Sequence, residues 1–430
     1  MRKRRRTLTA VLVALLAAIY VVGFFLVWDC CSLDKGIDAL MDIDFYATEE
    51  KPISPVKVNI SFGGVTVSEE EERVISDFFT YYLAGVGGLT LESLAPFFEF
   101  ETVDELFDRA ALRYEIFAAD FSGYSYNECT AEINVISRKP SAKSNNTVIA
   151  LELSLVTDSP LPFTVSAESH SFTVDHESFK LTAHDTDRPV RKAFLKELDY
   201  LLAINGYSRA DMAYTYYEDY IEAVLSEMKT RATEGYASLA PEEKEAPLPS
   251  PEYSYDRNAA KERALSGSSG ISDNNDVSFT CECLFSAGIP MDAQGDMTGQ
   301  WKWYDGELNS EREKKGHSKS WVEAESFYNY AVTNTGFGLS AYEAKASEGE
   351  IGDIVQLITD KIVDDEDNNL KTKITVPYSQ CIITDVIRDS EGNFFDYKVC
   401  TDKYKDIPLR LLGAGSFRLI KIAGYNTANI

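Results

Sequence analysis

The chain predicts an α+β protein with a transmembrane helix at its N-terminus, and three observations carry that prediction. An uncharged apolar run opens the chain. Helical spacing then gives way to strand-like alternation between Ser68 and Ala183. Four prolines between Pro241 and Pro251 set that segment apart from a second mixed one.

Arg2, Lys3, Arg4, Arg5 and Arg6 precede the apolar run from Thr7 to Trp28. Its twenty-two residues, at about 1.5 Å each, reach roughly 33 Å, enough for a bilayer core. The run ends in bulky residues without a small-residue cleavage site, and Asp29 does not suit a lipoprotein site at Cys30. Residues 1–28 are therefore expected to be a cytoplasmic basic leader and a signal anchor. The rest of the chain then lies outside the cytoplasm.

Residues 50–190 predict a small α+β domain. Val56–Phe62 reads as a short strand, and Ser68 with Glu71 forms a capping box. Val74, Ile75, Phe78 and Phe79 then recur at helical spacing, and a second helix is expected over 103–121. Thr130–Ser137, Val148–Val156, Phe163–Ala167 and Phe179–Ala183 follow as an antiparallel meander. Residues 190–235 read as a helical connector whose Tyr214, Tyr216, Tyr217 and Tyr220 suit packing. The prolines make 238–254 a semi-stiff linker, and a C-terminal domain is expected over 255–424. An acidic stretch around Asp364–Asp367 separates two strand signals there, as in a solvated hairpin loop.

Hydrophobic residues make up 44% and aromatics 12%, which is ample for packed cores and excludes wholesale disorder. The net charge of −27 is spread along the chain and argues against nucleic acid as a partner. Cys281 and Cys283 are one residue apart, and His170, His176, His184 and His317 stand near no cysteine, so no metal site or cofactor is expected. Disulfides remain open outside the membrane.

From Asn275 to Asp292 the sequence includes Phe279, Cys283, Leu284, Gly288, Ile289, Pro290 and Met291 at set spacing. Around this run stand Tyr255 with Arg257, Ala259 and Ala260; Trp303-Tyr304-Asp305-Gly306; Ser320-Trp321; Phe327-Tyr328-Asn329-Tyr330; and Gly352-Asp353-Ile354. Tyr378–Thr384, then Thr401-Asp402 and Pro408-Leu409, complete the order. Together they resemble a family of amidase domains in secreted and envelope proteins of Gram-positive bacteria, within the papain-like cysteine peptidase superfamily. The resemblance implies a papain-like α+β fold acting on amide bonds. It places the nucleophilic Cys at Asp276, the His of the family's Trp-Ser-His-Ser-Val-Ile-Val-Thr run at Gln380, and a third position at Asp402.

A papain-like reaction needs a thiolate at a helix N-terminus and an imidazole to move protons. Asp276 suits an N-cap, but it is a weak nucleophile toward an amide, and Gln380 exchanges no protons. The expectation is a degenerate, non-catalytic domain whose cleft binds a cell-wall peptide or an envelope protein. Asn275, Trp303, Tyr304, Trp321 and Tyr378 are the cleft candidates, with Trp301 beside them. Core packing is the simpler account of Trp321. The alternative is an active amidase with a relocated catalytic residue. Cys281, Cys283, Cys381, His317 and an Asp276–Asp402 carboxylate pair are the groups available for it. Burial, strand parity, a loop setting and ordinary hydrogen bonding are the respective plainer readings.

Overall fold

In the computed structural model the described residues are 56–84, 110–112, 114–115, 124, 126–141, 146–158, 160, 162–204, 223, 226, 230, 248–267, 275–293, 302–306, 316–365, 370–412 and 416–427. The expected anchor over 1–28, Cys30, Cys31, most of the second helix and of the connector, and Trp301 lie outside them. Among the described residues no helix is long and apolar enough to cross a membrane. Residues 55–430 form one compact unit.

Ser68 and Glu71 start helix α1 (Glu69–Ala84) as expected. Glu71 N donates to Ser68 Oγ at 3.2 Å, and Ser68 N donates to Glu71 Oε2 at 2.9 Å. Its apolar stripe, Ile75, Phe78, Phe79 and Leu83, is fully buried against the first sheet. Burying each phenylalanine is worth about 2–3 kcal/mol. That sheet contains β1 (Lys57–Gly64), β2 (Glu128–Pro140), β3 (Thr147–Thr157), β4 (Thr164–Val174) and β5 (Leu181–Thr186). β2 to β5 make the expected antiparallel meander, and β1 adds to β2 in parallel. Helix α2 (Pro189–Ile204) leaves the meander.

The C-terminal half places α3 (Arg257–Ser266), α4 (Asp276–Ser286), α5 (Lys319–Val322) and α6 (Ala324–Thr333) before a second sheet. Its strands are β6 (Gly338–Ala344), β7 (Ile354–Asp365), β8 (Leu370–Arg388), β9 (Phe394–Cys400), β11 (Ile407–Pro408) and β12 (Phe417–Asn426), in the order β11-β9-β8-β7-β12-β6. β10 (Tyr404–Lys405) instead joins β4 of the first sheet. The acidic stretch lies at the tip of the long β7–β8 hairpin, and residues 366–369 are outside the described set.

Strand parity divides the core. Ile354, Ile382 and Ile420 face the helices α3, α4 and α6. Val355, Cys381, Ile383, Val399 and Leu419 face a cluster that runs on into Phe78, Ile133, Leu151 and Phe172 of the first half. The second sheet is therefore covered on both sides, which explains why β7 and β8 are apolar at successive positions.

Candidate active site

Helix α4 opens at Asn275, whose extended backbone and side chain cap it by accepting from Ser278 N at 2.8 Å. The cap expected on Asp276 belongs to its neighbour, and Asp276 occupies the first helical position, where the helix dipole favours an anion. Its setting opposes that preference. Burial raises the Asp276 pKa well above the ordinary carboxylate range, and a hydrogen bond and charge repulsion from the Asp402 carboxyl raise it further. Ser379 Oγ hydrogen-bonds Asp276 Oδ2, and the Lys192 charge pulls the other way, each too weak to reverse the shift. Burial and the neighbouring carboxyl thus both favour the protonated form of Asp276.

Ser379 reaches this position because β8 is irregular just before it. Leu357 pairs with Ser379 but Ile358 with Pro377, so Tyr378 is an extra, bulged residue. Gln380, the next residue, meets the same helix at a different point. Its Nε2 donates to Thr280 Oγ1 at 2.6 Å, one turn further along α4, and its Oε1 accepts from Gln356 Nε2 at 2.6 Å. Gln356 in turn donates to Ala324 O and accepts from Arg418 Nε, both at 2.6 Å. Gln380 is a fully buried cross-link of sheet to helix, and Ser379 is the residue opposite Asp276. The structure thus brings Ser379, and not Gln380, to the Asp276 carboxyl.

Asp402 sits in the turn after β9, which the first half of the chain clamps. Ser166 N donates to Lys403 O at 2.7 Å, Lys403 is ion-paired with Asp187, and Tyr404 OH donates to Glu168 Oε2 at 2.5 Å. Within the turn Thr401 Oγ1 accepts from Lys403 N at 3.1 Å and Tyr404 N at 3.2 Å. A helix N-terminus, a bulged strand and a clamped acidic turn converge on one partly exposed carboxyl pair.

Residues 272–399 match the family model described as "Putative amidase domain". No curated protein and no solved structure matches the chain. The matched amidase segment covers less than half of the chain, takes in Asp276, Ser379 and Gln380, and ends just before Asp402.

The motif residues around the amidase segment mostly serve its framework. Arg257 Nη1 donates to Asp353 Oδ1 at 2.8 Å, and Asp353 also accepts from Ile422 N and Glu350 N. Gly352 has φ +87°, and a Cβ there would stand 2.6 Å from the Tyr255 hydroxyl. The Tyr-x-Arg and Gly-Asp motifs therefore touch. Trp303 and Trp321 are buried with ring centroids 5.0 Å apart, and Trp303 Nε1 donates to Cys281 Sγ at 3.1 Å. Tyr304 is buried as well, its amide donating to Ser318 Oγ at 3.1 Å. Trp303 and Tyr304, expected at a cleft mouth, are core, and Trp321 is core as its simpler reading has it. Asn275 and Tyr378 do border Asp276 and Ser379 in sequence and are only partly buried.

The other catalytic substitutes are placed as plainly. Cys129, Cys281, Cys283, Cys381 and Cys400 are buried free thiols. Burial pushes the Cys281, Cys283 and Cys381 thiols up and that of Cys400 to about 12, so none is a ready thiolate. Cys381 Sγ turns to Val355 O at 3.6 Å, on the face away from α4. His317 is exposed in a bridge to Asp305. Among the described residues no group of three or more His, Cys, Asp or Glu is arranged to hold a metal.

Proposed function

We propose that the amidase segment binds amide-containing ligands outside the cytoplasm and does not cleave them by thiol–imidazole chemistry. One observation carries this reading: the helix N-terminus presents the Asp276 carboxyl, held by Ser379 and beside Asp402, in a setting whose burial favours its protonated form. A neutral carboxylic acid donates a hydrogen bond to a carbonyl oxygen, and a neighbouring carboxyl oxygen accepts one from an amide N–H. The pair is complementary to a peptide group. The basic leader and the apolar run from Thr7 to Trp28 support a membrane-held, extracytoplasmic location. The family resemblance favours cell-wall peptides or an envelope protein as the ligand.

A second reading is favoured by the same pair of carboxyls. Two carboxyls that hold one proton between them can hydrolyse an amide without cysteine. Asp402 would take a proton from water as Asp276 gives its own to the carbonyl oxygen, and the resulting diol would expel the amine after protonation of its nitrogen. One experiment separates the two. The full-length chain in mild detergent is mixed with soluble cell-wall peptide fragments, and both heat of binding and release of free amine are followed. Binding without amine release supports the binding module. Amine release that disappears in Asp276→Asn makes the carboxyl pair a catalyst, and absence of both overturns amide recognition at this site.

A further inference from the structure

Helix α2 docks along the hairpin that carries Ser379. Glu197 Oε2 accepts from Thr359 Oγ1 at 3.5 Å, and Lys373 Nζ stands 5.4 Å from the Tyr200 ring centroid. This docking turns Lys192 and Lys196, one helical turn apart, toward the site. Lys196 Nζ lies 5.4 Å from the ring centroid of Tyr378, the bulged residue beside Ser379, and Lys192 is close enough to act on Asp276. Lys361 of β7 joins them, since its charge and that of Lys192 both act on Lys196.

All three side chains are exposed, and among the described residues none of them is ion-paired. Neighbouring lysines behave differently. Lys373 pairs with Asp360 at 2.5 Å, Lys398 with Asp406 at 2.9 Å, and Lys403 with Asp187. A chain of net charge −27 has carboxylates to spare, yet three like charges gather unpaired where repulsion opposes them. A bound anion would offset that repulsion. The surrounding negative charge repels an extended polyanion, so a compact ligand with one or two carboxylates fits best.

We infer that Lys192, Lys196 and Lys361 hold a free carboxylate of the ligand whose amide lies at Asp276 and Ser379. This rests on the amide-binding reading above and deepens it: the ligand class is a short peptide that ends in a free acid near the recognised amide. Bisubstituted ends, such as carboxamides, bind less well. The lysines are specificity residues and take no part in bond breaking.

The test uses the full-length chain immobilised in detergent. Mixed-sequence short peptides, each present as free acid and as C-terminal carboxamide, are passed over it, and the retained peptides are weighed by mass spectrometry. Wild type should retain acids over amides by about ten-fold, and Lys192→Glu with Lys196→Glu should abolish the preference. Lys192→Gln with Lys196→Gln, which leaves the exposed helix surface intact, should reduce it to an intermediate value. Equal retention of acids and amides overturns the carboxylate site and leaves amide binding standing. Retention of neither overturns both, and an acid preference unchanged in the Glu variants removes it from these lysines.

Discussion

Two buried polar assemblies stand on either side of the turn from Thr401 to Tyr404, and they are built on opposite principles. In the first half, Glu168, His170, His184, Arg191 and Glu115 form a chain in which every link is determined. Arg191 only donates, so the 3.1 Å contact fixes His184 Nδ1 as an acceptor and puts the proton on Nε2. That proton goes to His170 Nδ1 at 3.0 Å, and His170 Nε2 then donates to Glu168 Oε1 at 2.8 Å. Arg191 Nε pairs with Glu115 at 2.7 Å, and Arg188 Nε with Glu168 at 3.0 Å. At the site, two carboxyls face each other, and burial with the neighbouring carboxyl favours a proton on Asp276. A satisfied network fixes structure, whereas a mismatched pair costs stability and is maintained where a ligand is to be met.

The largest break in this comparison should come from Arg191→Met. It leaves Glu115 charged and His184 without its donor in a fully buried setting, and should cost about 3–5 kcal/mol in urea unfolding. A loss below about 1 kcal/mol would show that the network is not what holds the first half together.

Acidification should sharpen it further. Burial, with Arg191, His170 and Arg188, depresses the His184 pKa well below its ordinary 6.5. Below pH 6.5 the unfolded chain gains a proton that folded His184 refuses, so stability falls as pH falls. Burial pushes Glu168 upward, but Arg188, His170 and Tyr404 hold it at about 2. Its contribution is present above 4.5 and lost between 4.5 and about 2. The urea midpoint should therefore drop continuously from pH 6.5 downward; a flat profile to pH 4.5 would contradict the tautomer assignment.

Asp276→Asn should move stability the other way. A carboxyl whose folded pKa is raised costs stability at every pH above its unfolded value, because the unfolded chain releases the proton first. At pH 7 the variant should be more stable by about 1 kcal/mol, the gain should vanish near pH 4, and ligand retention should fall. Stabilisation together with unchanged binding would make Asp276 an ordinary helix-start residue.

What the sequence could disclose follows from the range of the interaction. The capping box at Ser68, the alternation in β2 and β3 and the amidase motifs are local patterns, and all were readable. Strand β4 held a further signal that was not used: Glu168, His170, Phe172 and Val174 share one face, and polar groups on an inward face announce a buried network. Trp303 and Trp321 could not be placed, because an aromatic in a motif looks the same at a cleft mouth and in a core. Lys192 and Lys196 were invisible as site residues, since only docking of α2 on a hairpin more than 150 residues away brings them to Asp276. The neighbours Ser379 and Gln380 are the most instructive case, because Ser379 and not Gln380 meets Asp276. A bulge adds a residue that a linear comparison has no reason to skip.

The choice between Ser379 and Gln380 also supplies the finest test, read as thiol reactivity rather than as stability. With cysteine placed at position 276, a histidine at 379 would meet it across the same short contact that Ser379 makes now. Imidazole beside a thiol at a helix N-terminus lowers the thiol pKa. Asp276→Cys with Ser379→His should thus be alkylated by iodoacetamide at pH 7 about ten-fold faster than Asp276→Cys alone. Asp276→Cys with Gln380→His should show no such gain, since that side chain points to Thr280 and is enclosed by Gln356. Acceleration in the Gln380 variant instead would make Gln380 the residue that meets position 276 and the Ser379 contact incidental.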